Sequence, residues 1–222
     1  MTSSTVRDRL VKAAFELFQE QGYETTTADQ IAARAGTGRT TFFRVFGSKD
    51  DVALVDHEDI LRVVGEKLAT ATDSTRQLVA REAARIVLDA YMTGGSLARS
   101  RAQVVAQVPA LRSRELVVMA RYQRLFYEHF RTDPAVGDPL TAELLAAAWV
   151  TTHNHVLRRW LARRSKTPAA QLDAGLVEAY ARLVHRSTEQ SETAVLVFRT
   201  SAAVEEVLPA LQSALTRPPR RA

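Results

Sequence analysis

The chain has 222 residues, 46% hydrophobic and 25% charged, with 30 basic against 25 acidic side chains and a formal net charge of +5. That is length for one large domain, or a small one and a larger one, and apolar content for a globular core rather than a disordered chain. The lack of cysteine excludes disulfides, thiol nucleophiles and Cys-based zinc sites and points to the cytoplasm.

Few Gly and Pro and many Ala, Leu, Arg and Glu favour helix. The lack of an 18-residue apolar run predicts no membrane span. The opening MTSSTVRDRL has no apolar centre for an export signal. The small positive excess permits nucleic-acid binding without requiring it, because solvated arginines give the same balance.

Residues 5–21 set Val6, Leu10, Ala13, Ala14, Leu17 and Phe18 at helical spacing, and Gly22 stops that helix. A second helix starts at Thr26 or Thr27 as N-cap, buries Ile31, Ala32 and Ala35, and ends at Gly36 after two turns. TGRTTFFRVF (37–46) is a third short helix. A fourth runs over 48–70, with Ser48 as N-cap and Asp50 and Asp51 at its positive end. Further helices follow near 74–93, 96–107, 110–131, 138–165 and 168–187. In the tail, TAVLVF (193–198) fits a short strand, 201–215 a helix interrupted by Pro209, and RPPRRA a frayed end. The expected class is all-α: a small domain of three compact helices over 1–49, then a larger helical domain over 50–222, its tail from 188 open.

Residues 34–49 carry Arg34, Arg39, Arg44 and Lys49 and no acidic side chain. Two short helices joined by a tight Gly-containing turn have helix-turn-helix geometry, in which the second helix enters the DNA major groove. Thr37, Arg39, Thr40, Thr41 and Arg44 can face out while Phe42, Val45 and Phe46 pack inward. Arg39 can read a guanine through O6 and N7, and the threonines can meet phosphate or a thymine methyl. Spacing alone also fits any pair of short helices.

The run AAFELFQEQGYETTTADQIAARAGTGRTTFFRVFGSKDDV resembles the N-terminal domain of the TetR family of bacterial transcriptional regulators, over residues 6–70. The resemblance rests on the Ala-Ala, Leu-Phe and Gly of the first helix, the Thr-Thr before the second, Ile31-Ala32, Ala35-Gly36, Thr41-Phe42, Phe46 and Ser48-Lys49. It implies that Thr27 and the amides beside it hold a phosphate. It also implies that Arg39, Thr40 and Thr41 face bases or adjacent phosphates, that Phe43 and Arg44 meet the backbone, and that Lys49 takes another phosphate. Three positions depart from the family pattern: Gly38 stands where Ser is usual, Phe43 where Tyr is usual, and Val45 where His is frequent. Each loses a polar contact.

Family members are homodimers, paired through their last two long helices on a pseudo-palindromic operator. Here those are 138–165 and 168–187, with Leu144, Leu145, Ala148, Leu161, Leu172, Leu176, Val177, Tyr180 and Leu183 as apolar rows. Burial of those rows within one subunit is the plainer alternative. The family's larger domain encloses an effector pocket. In WVTTHNHVLRRW, His153 shares a helical row with Trp149, Leu157 and Trp160, whereas Thr152, His155 and Arg159 lie on another. The candidate lining residues are Thr152 and His155, joined by Tyr91, Met119, Tyr122 and Phe126. His153 and His155 also fit an interface or the surface. RRWLARRSK (158–166) fits a solvated helix end or a receiver for an anionic, acyl-thioester-like ligand.

No Ser/His/Asp set, metal cluster or phosphate loop is present, so no enzyme, no cofactor and no metal site is expected. The reading is a dimeric repressor released from DNA by a small hydrophobic or acyl-thioester-like ligand. A regulator gated by a protein partner or by abundance is the alternative.

Overall fold

The computed structural model describes residues 5–188 apart from residue 56. Ten helices occur among them: α1 Val6–Gln21, α2 Ala28–Arg34, α3 Arg39–Val45, α4 Lys49–Ala53, α5 His57–Ala69, α6 Arg76–Thr93, α7 Gly95–Gln107, α8 Pro109–Phe130, α9 Pro139–Leu161 and α10 Pro168–Thr188. No strand occurs among the described residues. The expected tail strand and tail helix lie outside them.

The first three helices are set by local chemistry. Thr5 caps α1 and Thr27 caps α2, each in a reciprocal box with the residue three positions on, Asp8 and Gln30. Gly36 takes φ +66° at the end of α2. There the Gly36 and Thr37 amides bond back to Ala33 O and Ala32 O, a Schellman closure that leaves α3 free to turn away. Leu10, Val11, Phe15, Phe18, Ile31, Phe42 and Phe46 fill the core between them. That core continues past residue 49, taking in Val52 and Ala53 of α4, Val105 of α7, Val108 between α7 and α8, and Leu111 of α8.

The expected single helix over 48–70 is two. Ser48 does cap α4, accepting from the Asp51 amide, but Leu54 turns to extended backbone (φ −90°, ψ 158°). No Gly or Pro marks the break. Val52 and Ala53 are committed to the first core, whereas Leu61, Val64 and Leu68 of α5 belong to the second. One straight helix cannot bury both faces, so packing overrides propensity.

The end of α9 is also earlier than expected. Arg163 adopts φ +57°, and the amides of Arg163 and Arg164 close back on Trp160 O and Arg159 O at 2.9 and 2.8 Å. The basic run is therefore divided: Arg158 and Arg159 occupy the last turn of α9, and Arg163, Arg164 and Lys166 lie in the connection to α10.

The second core gathers α5, α6, α8, α9 and α10 around Leu88, Phe130, Leu145, Trp149, Leu172 and Leu176. The rows expected on the last two helices divide between two environments. Leu145, Leu172 and Leu176 are wholly buried within the subunit, whereas Leu144 and Val177 are 49 and 41% exposed; Leu140 of α9, outside those rows, is 65% exposed. No helix among the described residues is long and apolar enough to cross a membrane.

Candidate nucleic-acid interface and interior cavity

The α3 helix divides sharply between two sides. Phe42 is fully buried, and Phe46 just beyond the helix is buried too. Arg39, Thr40 and Arg44 are exposed, and Thr37 and Thr41 are half-buried. Phe43 is 43% exposed, its ring edge-on to Phe42. Gly38 supplies the N-cap backbone with no side-chain bond, which matches the hydroxyl missing at that position.

Arg39 pairs with Asp29 of α2 and lies over the Phe43 ring, 5.1 Å from its centroid. Both partners are exposed, so a pair in this setting contributes little to stability. It sets the direction of Arg39 without locking it. Arg34 is more firmly engaged, with both terminal nitrogens on Glu20 at 2.8 and 2.7 Å. Arg44 pairs with no carboxylate among the described residues. Lys49 donates to Tyr23 O at 2.8 Å with its ammonium 4.1 Å from the Tyr23 ring centroid, tying α4 to the turn after α1. Tyr23 in turn donates to Asp50, and burial foremost, then that carboxylate, pushes its phenol well up. The Thr27 hydroxyl accepts from the Gln30 amide at 3.3 Å, and the Thr37 hydroxyl donates to Ala32 O at 3.4 Å. The eight residues singled out from the sequence thus occupy one region built from α2, α3 and the start of α4.

A cavity of about 340 Å³ lies in the larger helical body. Its walls are largely apolar, with Val87, Val105, Val118, Phe126, Trp149, Val150, Leu157 and Leu161 among them. Tyr91, Met119, Tyr122 and Phe126 line it as the sequence reading expects; Thr152 and His155 do not. His155 is exposed, and Thr152 faces α10, where Gly175 leaves room for its methyl. The lining row of α9 is the other one, through Trp149, His153 and Leu157.

Polar groups enter this lining at few places. His57, the first residue of α5, stands between two phenols, with Nδ1 at 3.1 Å from the Tyr122 hydroxyl and Nε2 at 3.3 Å from the Tyr91 hydroxyl. Burial raises both phenols well above their ordinary range. His153 is 8% exposed; its Nδ1 is 3.4 Å from Asn154 Oδ1, and its Nε2 has no hydrogen-bond partner. Burial pushes its imidazole down to about 4, against a smaller opposing effect of Asn154. Glu115 is half-buried, and burial raises its carboxyl. Arg112 and Arg158 line the cavity but are exposed, as rim rather than interior cations.

Sequence reasoning missed His57, Glu115 and Asn154 and left His153 between interface and surface. The signal for His153 was its place on the Trp149–Leu157 row. Nothing near His57 in sequence indicates that Tyr91 and Tyr122 will meet it. Among the described residues no three His, Asp or Glu side chains converge as a metal site would need.

Residues 10–54 match the family model described as bacterial regulatory proteins of the tetR family. The HTH-type transcriptional regulator TcmR of Streptomyces glaucescens is 54% identical over 48 residues, which cover 22% of this chain and 21% of TcmR. The putative mycofactocin biosynthesis transcriptional regulator MftR of Mycobacterium tuberculosis is 30% identical over 126 residues, covering 55% of this chain and 62% of MftR. NalD of Pseudomonas aeruginosa, the secondary repressor of the MexAB-OprM multidrug efflux pump, superposes with a TM-score of 0.55 at 20% identity, covering 81% of this chain and 96% of NalD. FadR of Thermus thermophilus, a repressor solved in complex with lauroyl-CoA, gives 0.50 at 22% identity, covering 89% and 98%. With the divided α3 face presented by a capped helix pair, residues 10–54 form a helix-turn-helix of the kind found in the TetR family of bacterial transcriptional regulators, and the all-helical body shares its fold with repressors of known structure.

Proposed function

We propose that the protein is a homodimeric, sequence-specific DNA-binding repressor whose grip on its operator is relieved by a small hydrophobic molecule in the interior cavity. The observation that carries DNA binding is the α3 face. Arg39, Thr40 and Arg44 are exposed on a short helix anchored from behind by Phe42, the arrangement needed for donors to reach base edges and phosphates. Thr27, Thr37, Thr41, Phe43 and Lys49 flank them as phosphate-side contacts. Residues 1–49 form the DNA-binding domain in this reading, and 50–222 the effector and dimerisation domain.

Dimerisation is supported by Leu140, Leu144 and Val177, large apolar side chains left exposed on α9 and α10. A second copy offering the same patch would cover them by two-fold symmetry. One short recognition helix reads few base pairs, and two-fold pairing doubles the site. Effector control is supported by the cavity, whose size and apolar lining suit a small ligand. Acyl thioesters are a second candidate class, favoured by Arg112 and Arg158 at the rim and by the likeness in fold to a repressor solved with lauroyl-CoA.

The test is selection of bound sequences from a random DNA library, with the mass of the bound species measured by light scattering. An inverted repeat bound by a dimer is expected. A site without symmetry, or a monomer on DNA, would contradict the reading.

A further inference from the structure

We propose that the cavity takes a neutral, largely apolar ligand that presents an O–H or N–H donor to Nε2 of His153. The inference rests on the effector reading of the cavity and names the class of molecule it admits.

Asn154 Nδ2 points to Met119 Sδ at 2.8 Å, so the amide oxygen is the atom turned toward His153 Nδ1, at 3.4 Å. A carbonyl oxygen accepts; Nδ1 must therefore carry the hydrogen, which leaves Nε2 as a bare acceptor in the neutral ring. That nitrogen is buried and unpartnered on a residue that lines the cavity. A buried acceptor left without a donor is costly, and a ligand that supplies one recovers the loss. The ring stays neutral because its burial disfavours the imidazolium.

The remaining lining excludes the obvious alternatives. An anionic group would meet Glu115 in the wall, and the cations of that wall, Arg112 and Arg158, are both exposed; the half-buried Arg101 faces the adjoining space beside Tyr91, so 2-naphthoate tests this exclusion directly. A plain alkyl chain would leave Nε2 unpaired. The His57 bridge adds a complementary group. An imidazole donates from at least one ring nitrogen, so at least one of Tyr91 and Tyr122 accepts from it and does not spend its own O–H on that ring. Walls of Trp149, Phe126, Val87 and Leu157 suit a flat or aromatic body between these groups.

Equilibrium dialysis of the full chain against 2-naphthol, naphthalene and 2-naphthoate separates the possibilities. The wild-type protein is expected to bind 2-naphthol about tenfold more tightly than naphthalene, the effect of one buried hydrogen bond. His153→Phe should bring that ratio to about one, and His153→Gln, whose amide oxygen accepts, should keep part of it. Melting curves of both variants establish that each is folded, and the Gln variant decides the matter if the Phe variant is not. Equal binding of naphthol and naphthalene by the wild type would overturn the donor assignment while leaving the cavity a binding site. So would a naphthol preference that survives in His153→Phe, or tightest binding of the naphthoate. Binding of none of the three would overturn the effector reading of the cavity as well.

Discussion

His57 and Tyr122 hydrogen-bond at 3.1 Å across 65 residues of sequence. His57 opens α5 just past the bend that follows α4, and Tyr122 lines the cavity from α8. A group in the cavity that competes for the Tyr122 hydroxyl therefore acts on the first residue of α5, the helix that follows the N-terminal core. Tyr122→Phe is expected to leave operator affinity without effector unchanged and to raise the effector concentration for half-release several-fold, within the usual 1–3 kcal/mol of coupling between sites. Fluorescence anisotropy on labelled operator reads both quantities. An unchanged release midpoint would remove this pair from the coupling.

Arg39 is held by Asp29 and Phe43, so its approach to DNA is a transfer from one partner to another. Arg39→Ala should weaken the specific site by about 1–3 kcal/mol and random DNA by less, if Arg39 reads a base. An equal loss on both would make it a phosphate contact. Asp29→Ala, which removes the competing carboxylate, should tighten binding to both.

The α9–α10 packing is close enough to test with one methyl group. A Cβ built on Gly175 would lie 2.7 Å from the Thr152 methyl. Gly175→Ala should lower stability by about 1–3 kcal/mol through overpacking, despite the helix preference of Ala over Gly of about 1 kcal/mol. In a Thr152→Ser background the obstructing methyl is gone, and the same substitution should become neutral or stabilising. Denaturant midpoints of the four proteins give the coupling; additive effects would contradict the packing.

The imidazole of His153 gives stability a pH dependence. Its folded value of about 4 lies below the ordinary 6.5, so the unfolded chain binds a proton in that window and the folded chain does not. Stability therefore falls as pH drops from 6.5 to 4, by at most about 3 kcal/mol for this group. His129, also lowered chiefly by burial, acts in the same direction, and Glu115, raised by burial, acts in the opposite one. Both remain in His153→Phe, so the difference between the two proteins isolates His153. The variant should show a flatter curve between pH 4 and 6.5; parallel curves would contradict the burial of the ring.

The helix-turn-helix was readable because its determinants are local. Thr27 with Gln30, Gly36 and Ser48 are capping and turn residues that act within a few positions of themselves, and the Phe42–Phe46 row follows from helical periodicity. The break after Ala53 was not readable, because it arises from two cores competing for one helix. The early end of α9 at Arg163, a non-glycine residue at φ +57°, carries no local mark either. In the cavity, four of the six residues named from the sequence line the wall. Thr152 and His155 were misplaced because neighbouring rows on α9 differ only in what packs against them, and His57 was missed because its partners come from α6 and α8.

The most direct measurement is the affinity of the purified protein for DNA from upstream of its own gene, against a shuffled fragment, over a series of salt concentrations. Tight binding to the first fragment alone, with a steep loss as salt rises and with that selectivity abolished in Arg39→Ala, is the predicted result. Equal, weak binding to both fragments, persisting when sites are sought across the whole genome, would contradict sequence-specific recognition by the α3 face.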